Sequence, residues 1–221
     1  RRYSALWIGL VGLLMALGCQ TREIGAGATG AGLTTGGELV FSDDFDRDSL
    51  GDDWKRGTGE GGPGQWTLED GSVKGERLRN DPLWLQTPLP EKVRVEFEAE
   101  ALTEVGDIKV EIFGDGEHHE SGYVLIFGGW NNSLDVMARR DEHGDDRKER
   151  QSRKVTPEKN YKMAIERTDD SVRWYVDGEL FMSYEDKAAL RGDEHRYFGF
   201  SNWDAQVRFR NVRVYDLSKR G

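Results

Sequence analysis

Between Leu39 and Leu217 apolar residues recur at every second position in run after run, and no long segment keeps the 3.6-residue period of a helix. The runs read VRVEFEAEA, DIKVEIF, SGYVLIFGG, SLDVMAR, NYKMAIERT, SVRWYVDGELFMSY, HRYFGFSNW and QVRFRNVRVYDL. Alternate side chains of a strand point to opposite faces, so each run is a strand with one face to bury. Gly, Asp and Asn separate the runs, and Val176-Asp177-Gly178-Glu179 carries the Asp-Gly pair that favours a two-residue hairpin. In the last run Val207 and Phe209 share one parity while Val212 and Val214 take the other. One extra residue near Arg210-Asn211, a β-bulge, restores a single buried face. Many short strands without helical alternation predict an all-β, two-sheet antiparallel jelly-roll sandwich.

The chain has 221 residues, and charged residues make up 33% of it, a level that raises the question of disorder. An aromatic content of 10%, with seven Trp, answers it, because these side chains can fill a core. The formal net charge of -10 disfavours nucleic acid as a partner, since phosphate binding requires a basic stripe. With one cysteine, Cys19, no internal disulfide and no CxxC metal or redox site can form.

Arg1-Arg2 precede an apolar run from Ala5 to Leu17. At about thirteen residues it is shorter than a membrane-spanning helix and fits a secretory signal. Ala16-Leu17-Gly18-Cys19 resembles a bacterial lipobox, although the lipobox prefers Leu where Ala16 stands. The organisation expected is a signal peptide over 1–18, a flexible linker over 19–38 lipidated at Cys19, a β domain over 39–217 and a tail over 218–221. The expectation is an exported lipoprotein of the periplasm, outer membrane or cell surface, touching the membrane through its anchor only.

FSDDFDRDSLGDDW followed by GGPGQWTLEDGSVKG, and VRWYVDGELF followed by HRYFGFSNWDAQVRFRNVRVYDL, resemble the opening and closing strands of the concanavalin A-like lectin/glucanase superfamily. The nearest likeness is to 3-keto-disaccharide hydrolase-like domains. The resemblance covers residues 39–217 and implies a sandwich with sugars bound on its concave sheet. Its motifs specify fold better than activity. It also implies that a structural calcium is the metal to look for, with Asp43, Asp44 and Asp216 as oxygen ligands should the terminal strands be neighbours. The preferred reading of the same aspartates is as surface charges, and no cofactor is required.

Glu96, Glu98 and Glu100 line one face of VRVEFEAE at a spacing that suits a glycosidase carboxylate pair. The related glucanase strand has Asp where Glu98 stands, and an outward polar face explains the row as well. Trp130, between Gly128-Gly129 and Asn131-Asn132, offers a sugar an aromatic platform flanked by amides, unless it folds back on the sandwich edge. Trp203, after Asn202, is a further candidate, although a packing role suits it too. His118, His119 and Glu120 are adjacent, but neighbouring His on a strand point apart and zinc wants at least three protein ligands. Residues 139–154 read as a solvated, charged hairpin. Together these features predict a monomeric carbohydrate-binding domain contacting its ligand through Trp130, Asn131, Asn132 and Trp203. The alternatives are a glycoside hydrolase using Glu96, Glu98 or Glu100, and a non-catalytic protein-interaction domain of the envelope.

Overall fold

The computed structural model describes residues 32–219. The signal segment, Cys19 and most of the expected linker lie outside the described residues. The strands are β1 (Glu38–Asp43), β2 (Trp54–Arg56), β3 (Gln65–Glu69), β4 (Ser72–Glu76), β5 (Leu83–Leu85), β6 (Val93–Ala101), β7 (Ile108–Gly114), β8 (Tyr123–Gly128), β9 (Leu134–Arg139), β10 (Lys148–Gln151), β11 (Tyr161–Thr168), β12 (Ser171–Val176), β13 (Glu179–Glu185), β14 (Tyr197–Ser201) and β15 (Gln206–Asp216). They form an antiparallel jelly-roll sandwich. One sheet has eight strands in the order β13-β12-β11-β6-β15-β4-β3, with β1 on the second half of β15, and the other has seven in the order β10-β9-β8-β7-β14-β5-β2.

Local chemistry explains the pairings. Asp177 and Gly178 have φ of 53° and 84° at the β12–β13 turn, the left-handed pair that matches the twist of a hairpin. The expected bulge is present: Arg210 faces Glu98 and Arg213 faces Glu96, so β15 spends one residue more than β6. Val207, Phe209, Val212 and Val214 are all buried as a result. Between the sheets Trp54 stacks on Phe200 at 5.3 Å, Phe200 stacks on Phe209 at 4.1 Å, and Phe97 meets Phe198, Phe200 and Phe209. This aromatic column ties strands of both sheets together.

The end of the expected linker is bound to the sandwich. Glu166 accepts hydrogen bonds from the Thr34 amide (2.8 Å) and hydroxyl (3.1 Å), and Arg94 donates to the carbonyls of Thr34 and Gly36. Residues 34–36 are therefore fastened across the outer face of the eight-stranded sheet. Gly and Thr composition signals flexibility, but it does not reveal a buried charged pair waiting to bind the backbone.

Every residue of β7 and β8 is buried, which a two-layer sandwich does not require. Loops cover the outer face of the seven-stranded sheet here. One of them, residues 57–64, is gathered by Asp81, whose carboxylate accepts the amides of Gly59 (3.2 Å), Gly61 (3.2 Å) and Gly62 (3.1 Å) and pairs with Arg56 at 2.9 Å. Burial would raise the pKa of Asp81, but the Gly62 amide, Arg56 and the Gly61 amide outweigh it and hold it low. A lowered carboxylate pKa adds stability above the ordinary carboxylate range and loses it as pH falls through the folded-state value. Asp81→Asn should therefore cost about 2 kcal/mol near neutral pH, roughly 4–8 °C in Tm. Thermal melts of both proteins should converge in acid, and an equal gap at pH 7 and pH 3 would count against this role.

Candidate ligand-binding cleft

Register places the outward residues of the seven-stranded sheet in rows. Ser201, Lys109, Ile126 and Val136 stand side by side in one row, and Trp84, Gly199, Glu111, Val124 and Ala138 in the next. Position 199 has no room for a side chain, since a Cβ there would lie 2.8 Å from the Trp84 ring. Val124, Ile126, Val136 and Ala138 form a small apolar cluster on this face, separate from the central core. Asp107, just ahead of β7, Lys109 and Glu111 share its parity, so a buried acid-base-acid series crosses it.

A cleft of about 610 Å³ opens above the Lys109 row. It is lined by Glu60, Asn80, Val105, Asp107, Lys109, Ile126, Trp130, Asn131, Glu142, His143, Trp203 and Asp204. Trp130 and Trp203 keep 37% and 39% of their surface exposed, so two aromatic faces are available to a ligand in the same depression. Trp130 sits in a turn where Trp130, Asn131 and Asn132 all take left-handed backbone angles, φ 49°, 56° and 60°. Such geometry costs a non-glycine residue about 1–2 kcal/mol, so something must fasten it. Asn132 does this. Its Oδ1 accepts the Val155 amide at 2.8 Å, and its Nδ2 donates to the carbonyls of Val155 (2.8 Å) and Glu104 (3.2 Å). The Trp130 ring meets His143 edge-on at 5.5 Å and has the Arg147 guanidinium 5.1 Å from its centroid. Across the cleft the Trp203 amide donates to Asp107 Oδ2 at 2.5 Å, and Arg79 sits 5.9 Å from the Trp203 ring.

The floor is a charged network. Lys109 Nζ donates to Glu142 (2.8 Å) and to Asn80 Oδ1 (2.7 Å). Burial opposes the Lys109 charge, yet the fields of Asp107 and Glu142 prevail and hold its pKa above the ordinary lysine value. Burial also works against ionised Glu142, and the field and hydrogen bond of Lys109 overcome it, lowering that carboxyl. Asp107 is raised, because its desolvation exceeds what Lys109 and the Trp203 amide return.

The candidate residues named from the sequence divide sharply by location. Trp130, Asn131 and Trp203 converge on the cleft, whereas the Asn132 amide is consumed in fastening the turn. Glu96, Glu98 and Glu100 lie on the other sheet. Glu96 pairs with Arg94 at 2.6 Å, Glu98 accepts from Asn160 at 2.7 Å with Arg210 at 3.7 Å, and Glu100 meets Arg210 at 2.9 Å. Register sets Arg208, Arg210 and Arg213 opposite the three glutamates, a cross-strand ladder of opposite charge. Glu96 and Glu98 also border a shallow depression of about 420 Å³ that includes Leu33.

The aspartates named for calcium do not fit a cage. Asp43 is occupied by Arg47, by the Trp54 indole and by the Phe45 amide, and Asp44 accepts the Asp46 amide. Asp216 is bound by Ser218 and faces Glu38, whereas Asp43 faces Val212, so they lie roughly 13–17 Å apart along the strands. His118 and His119 diverge, His118 to Asp115 at 2.8 Å in solvent and His119 to Glu111 at 2.7 Å in the interior. Sequence reasoning missed Asp107, Lys109 and Glu142. The first two stand in DIKVEIF, which reads simply as a strand, and Glu142 is buried within the run 139–154, whose composition predicts a solvated hairpin.

Residues 94–215, more than half of the chain, match the family described as Farnesoic acid 0-methyl transferase. The chain belongs to that family. No curated protein matches this farnesoic acid 0-methyl transferase family chain. Among solved structures it is similar to the carbohydrate binding module CBM66 from Bacillus subtilis, with 17% identity, a TM-score of 0.61, and 74% of this chain and 96% of that one covered. A laminarinase from Flavobacterium sp. UMI-01 gives 13% identity and a TM-score of 0.59 over 81% of this chain and 100% of the other. The Bacillus licheniformis beta-glucanase gives 14% and 0.55 over 85% and 100%. At these identities the likeness is one of fold.

Asn132 supplies a direct test of how this family member holds its turn. Asn132→Ala removes buried hydrogen bonds and leaves a β carbon at φ 60°, so a loss of about 3 kcal/mol in urea unfolding is expected. Asn132→Gly, free of the backbone penalty, should lose about 1 kcal/mol less. Equal stability of Asn132→Ala and the parent would show that Asn132 is not the fastener.

Proposed function

We propose that the cleft binds carbohydrate and that the chain acts as a binding module rather than a hydrolase. The observation that carries this reading is the pair of exposed tryptophans, Trp130 and Trp203, lining one depression whose floor is polar. The C–H faces of a sugar ring pack on indoles, and its hydroxyls need donors and acceptors held in place. Asn131, Asp107, Asn80 and Glu142 supply these at the floor and rim, and about 610 Å³ lies within the usual range for a small-ligand site. The family description names methyl transfer to farnesoic acid, a carboxylate on an apolar chain. Such a ligand would want an uncommitted cation, whereas Lys109 is already engaged by Glu142 and Asn80. A neutral polyhydroxyl compound suits it better.

A hydrolytic role for Glu96, Glu98 and Glu100 has less support, because each is tied to an arginine or an asparagine in the cross-strand ladder. An export signal over 1–18 and a lipid on Cys19 would present the cleft at a membrane surface, and intact mass measurement of the membrane fraction would reveal the acyl chains.

A glycan array followed by calorimetry should find a saccharide ligand. Trp130→Ala and Trp203→Ala should each weaken it about tenfold, or about 1.4 kcal/mol, without lowering Tm by more than a few degrees. Silence in both assays with the folded chain would sink the proposal.

A further inference from the structure

We propose that His119, Glu120 and Glu142 form a binding site for a divalent transition-metal ion at the edge of the cleft floor. One ligand atom from each of the three lies within 4.8 Å of the others. The arrangement is built from below by a fourth residue. Glu111, fully buried, accepts a hydrogen bond from His119 Nδ1 at 2.7 Å through one oxygen and from the Glu120 amide at 2.8 Å through the other. This fixes the imidazole tautomer and leaves Nε2 as the lone-pair nitrogen, the device by which a carboxylate orients a metal-binding histidine.

A second observation points to a ligand. The His119 side chain is nine-tenths buried and bonded to Glu111 through Nδ1, while Nε2 makes no hydrogen bond and faces Glu142 Oε2 at 4.0 Å. An imidazole lone pair facing a carboxylate is an electron-rich pair that a cation or a proton between them relieves. Ligand atoms around a tetrahedral ion with bonds of about 2.0–2.1 Å stand about 3.3 Å apart, so closure needs only a small side-chain adjustment. His143 Nε2 lies 3.8 Å from Glu142 Oε1 on an exposed side chain and can approach as a fourth donor. Lys109 holds Glu142 Oε2, and it keeps Asn80 as a partner if the ion draws that carboxylate away.

Imidazole with two carboxylates selects ions such as zinc, cobalt or manganese, whereas calcium prefers six to eight oxygens. The site does not depend on what the cleft binds, although Glu142 and His143 belong to both.

The test uses the full chain, stripped with a chelator and titrated calorimetrically with Zn²⁺ and Co²⁺. One equivalent of each should bind, Co²⁺ should develop visible ligand-field bands, and excess Ca²⁺ should displace neither. His119→Ala should abolish the bands and weaken Zn²⁺ about 100-fold, while His118→Ala, altered at the histidine that faces Asp115, should leave both unchanged. Should His119→Ala fail to fold by circular dichroism, Glu120→Gln, which keeps its acceptor for the Glu142 amide, decides the matter through at least a tenfold loss. The proposal is overturned by the absence of stoichiometric binding in the parent, by parental affinity in the deciding variant, or by loss of binding in His118→Ala.

Discussion

The ammonium of Lys109 is the constraint around which the outer face of the seven-stranded sheet is organised. It rises from the start of β7 and is fully buried, so it must be neutralised and hydrogen-bonded where it stands. Glu142 comes from the β9–β10 loop and Asn80 from the β4–β5 loop, and each reaches the same nitrogen. One charge thereby fixes two loops far apart in sequence over the sheet. Trp130 then rests against His143 and Arg147 of the first loop, and Arg79, next to Asn80, reaches the Trp203 ring. A substitution that removes one member of the Lys109–Glu142 pair strands the other in a desolvated site, and the walls of the cleft lose their common anchor.

The fold was largely legible because its signals are local. Strand parity, the Asp-Gly turn and the parity change in β15 each depend on neighbouring residues, and all three appear in the structure. The site was half legible for the opposite reason. Trp130 could be singled out because the glycines and asparagines around it announce a turn. Glu96-x-Glu98-x-Glu100 and Asp107-x-Lys109-x-Glu111 look alike in sequence, alternating charge with apolar residues. One became a ladder against arginines and the other the floor of a cleft, and the difference lies in which loops fold over each sheet. Nothing along a strand records that. Glu142 was hidden for the same reason, as a buried carboxylate in a segment whose composition is that of solvent-exposed chain.

The left-handed turn at Trp130, Asn131 and Asn132 shows how the aromatic wall is kept in place. Three consecutive non-glycine residues in this region oppose the usual preference of L-amino acids, and the amide of Asn132 compensates by supplying the partners that the Val155 backbone needs. Held this way, the turn puts a large indole into solvent without the entropy that a loose loop would lose on meeting a ligand.

Trp84 gives the outer face an asymmetry. Its ring presses on Gly199 and Gly114, and the backbone at Gly57 lies directly against it, with the Glu117 carbonyl beside Gly57 and Thr58 bridged to His118. The row next to the cleft is thus roofed by main chain, while the side framed by the two exposed indoles stays open. A long molecule lying along this sheet would collide with peptide bonds after one row of side chains. On this side the surface has an end-stop.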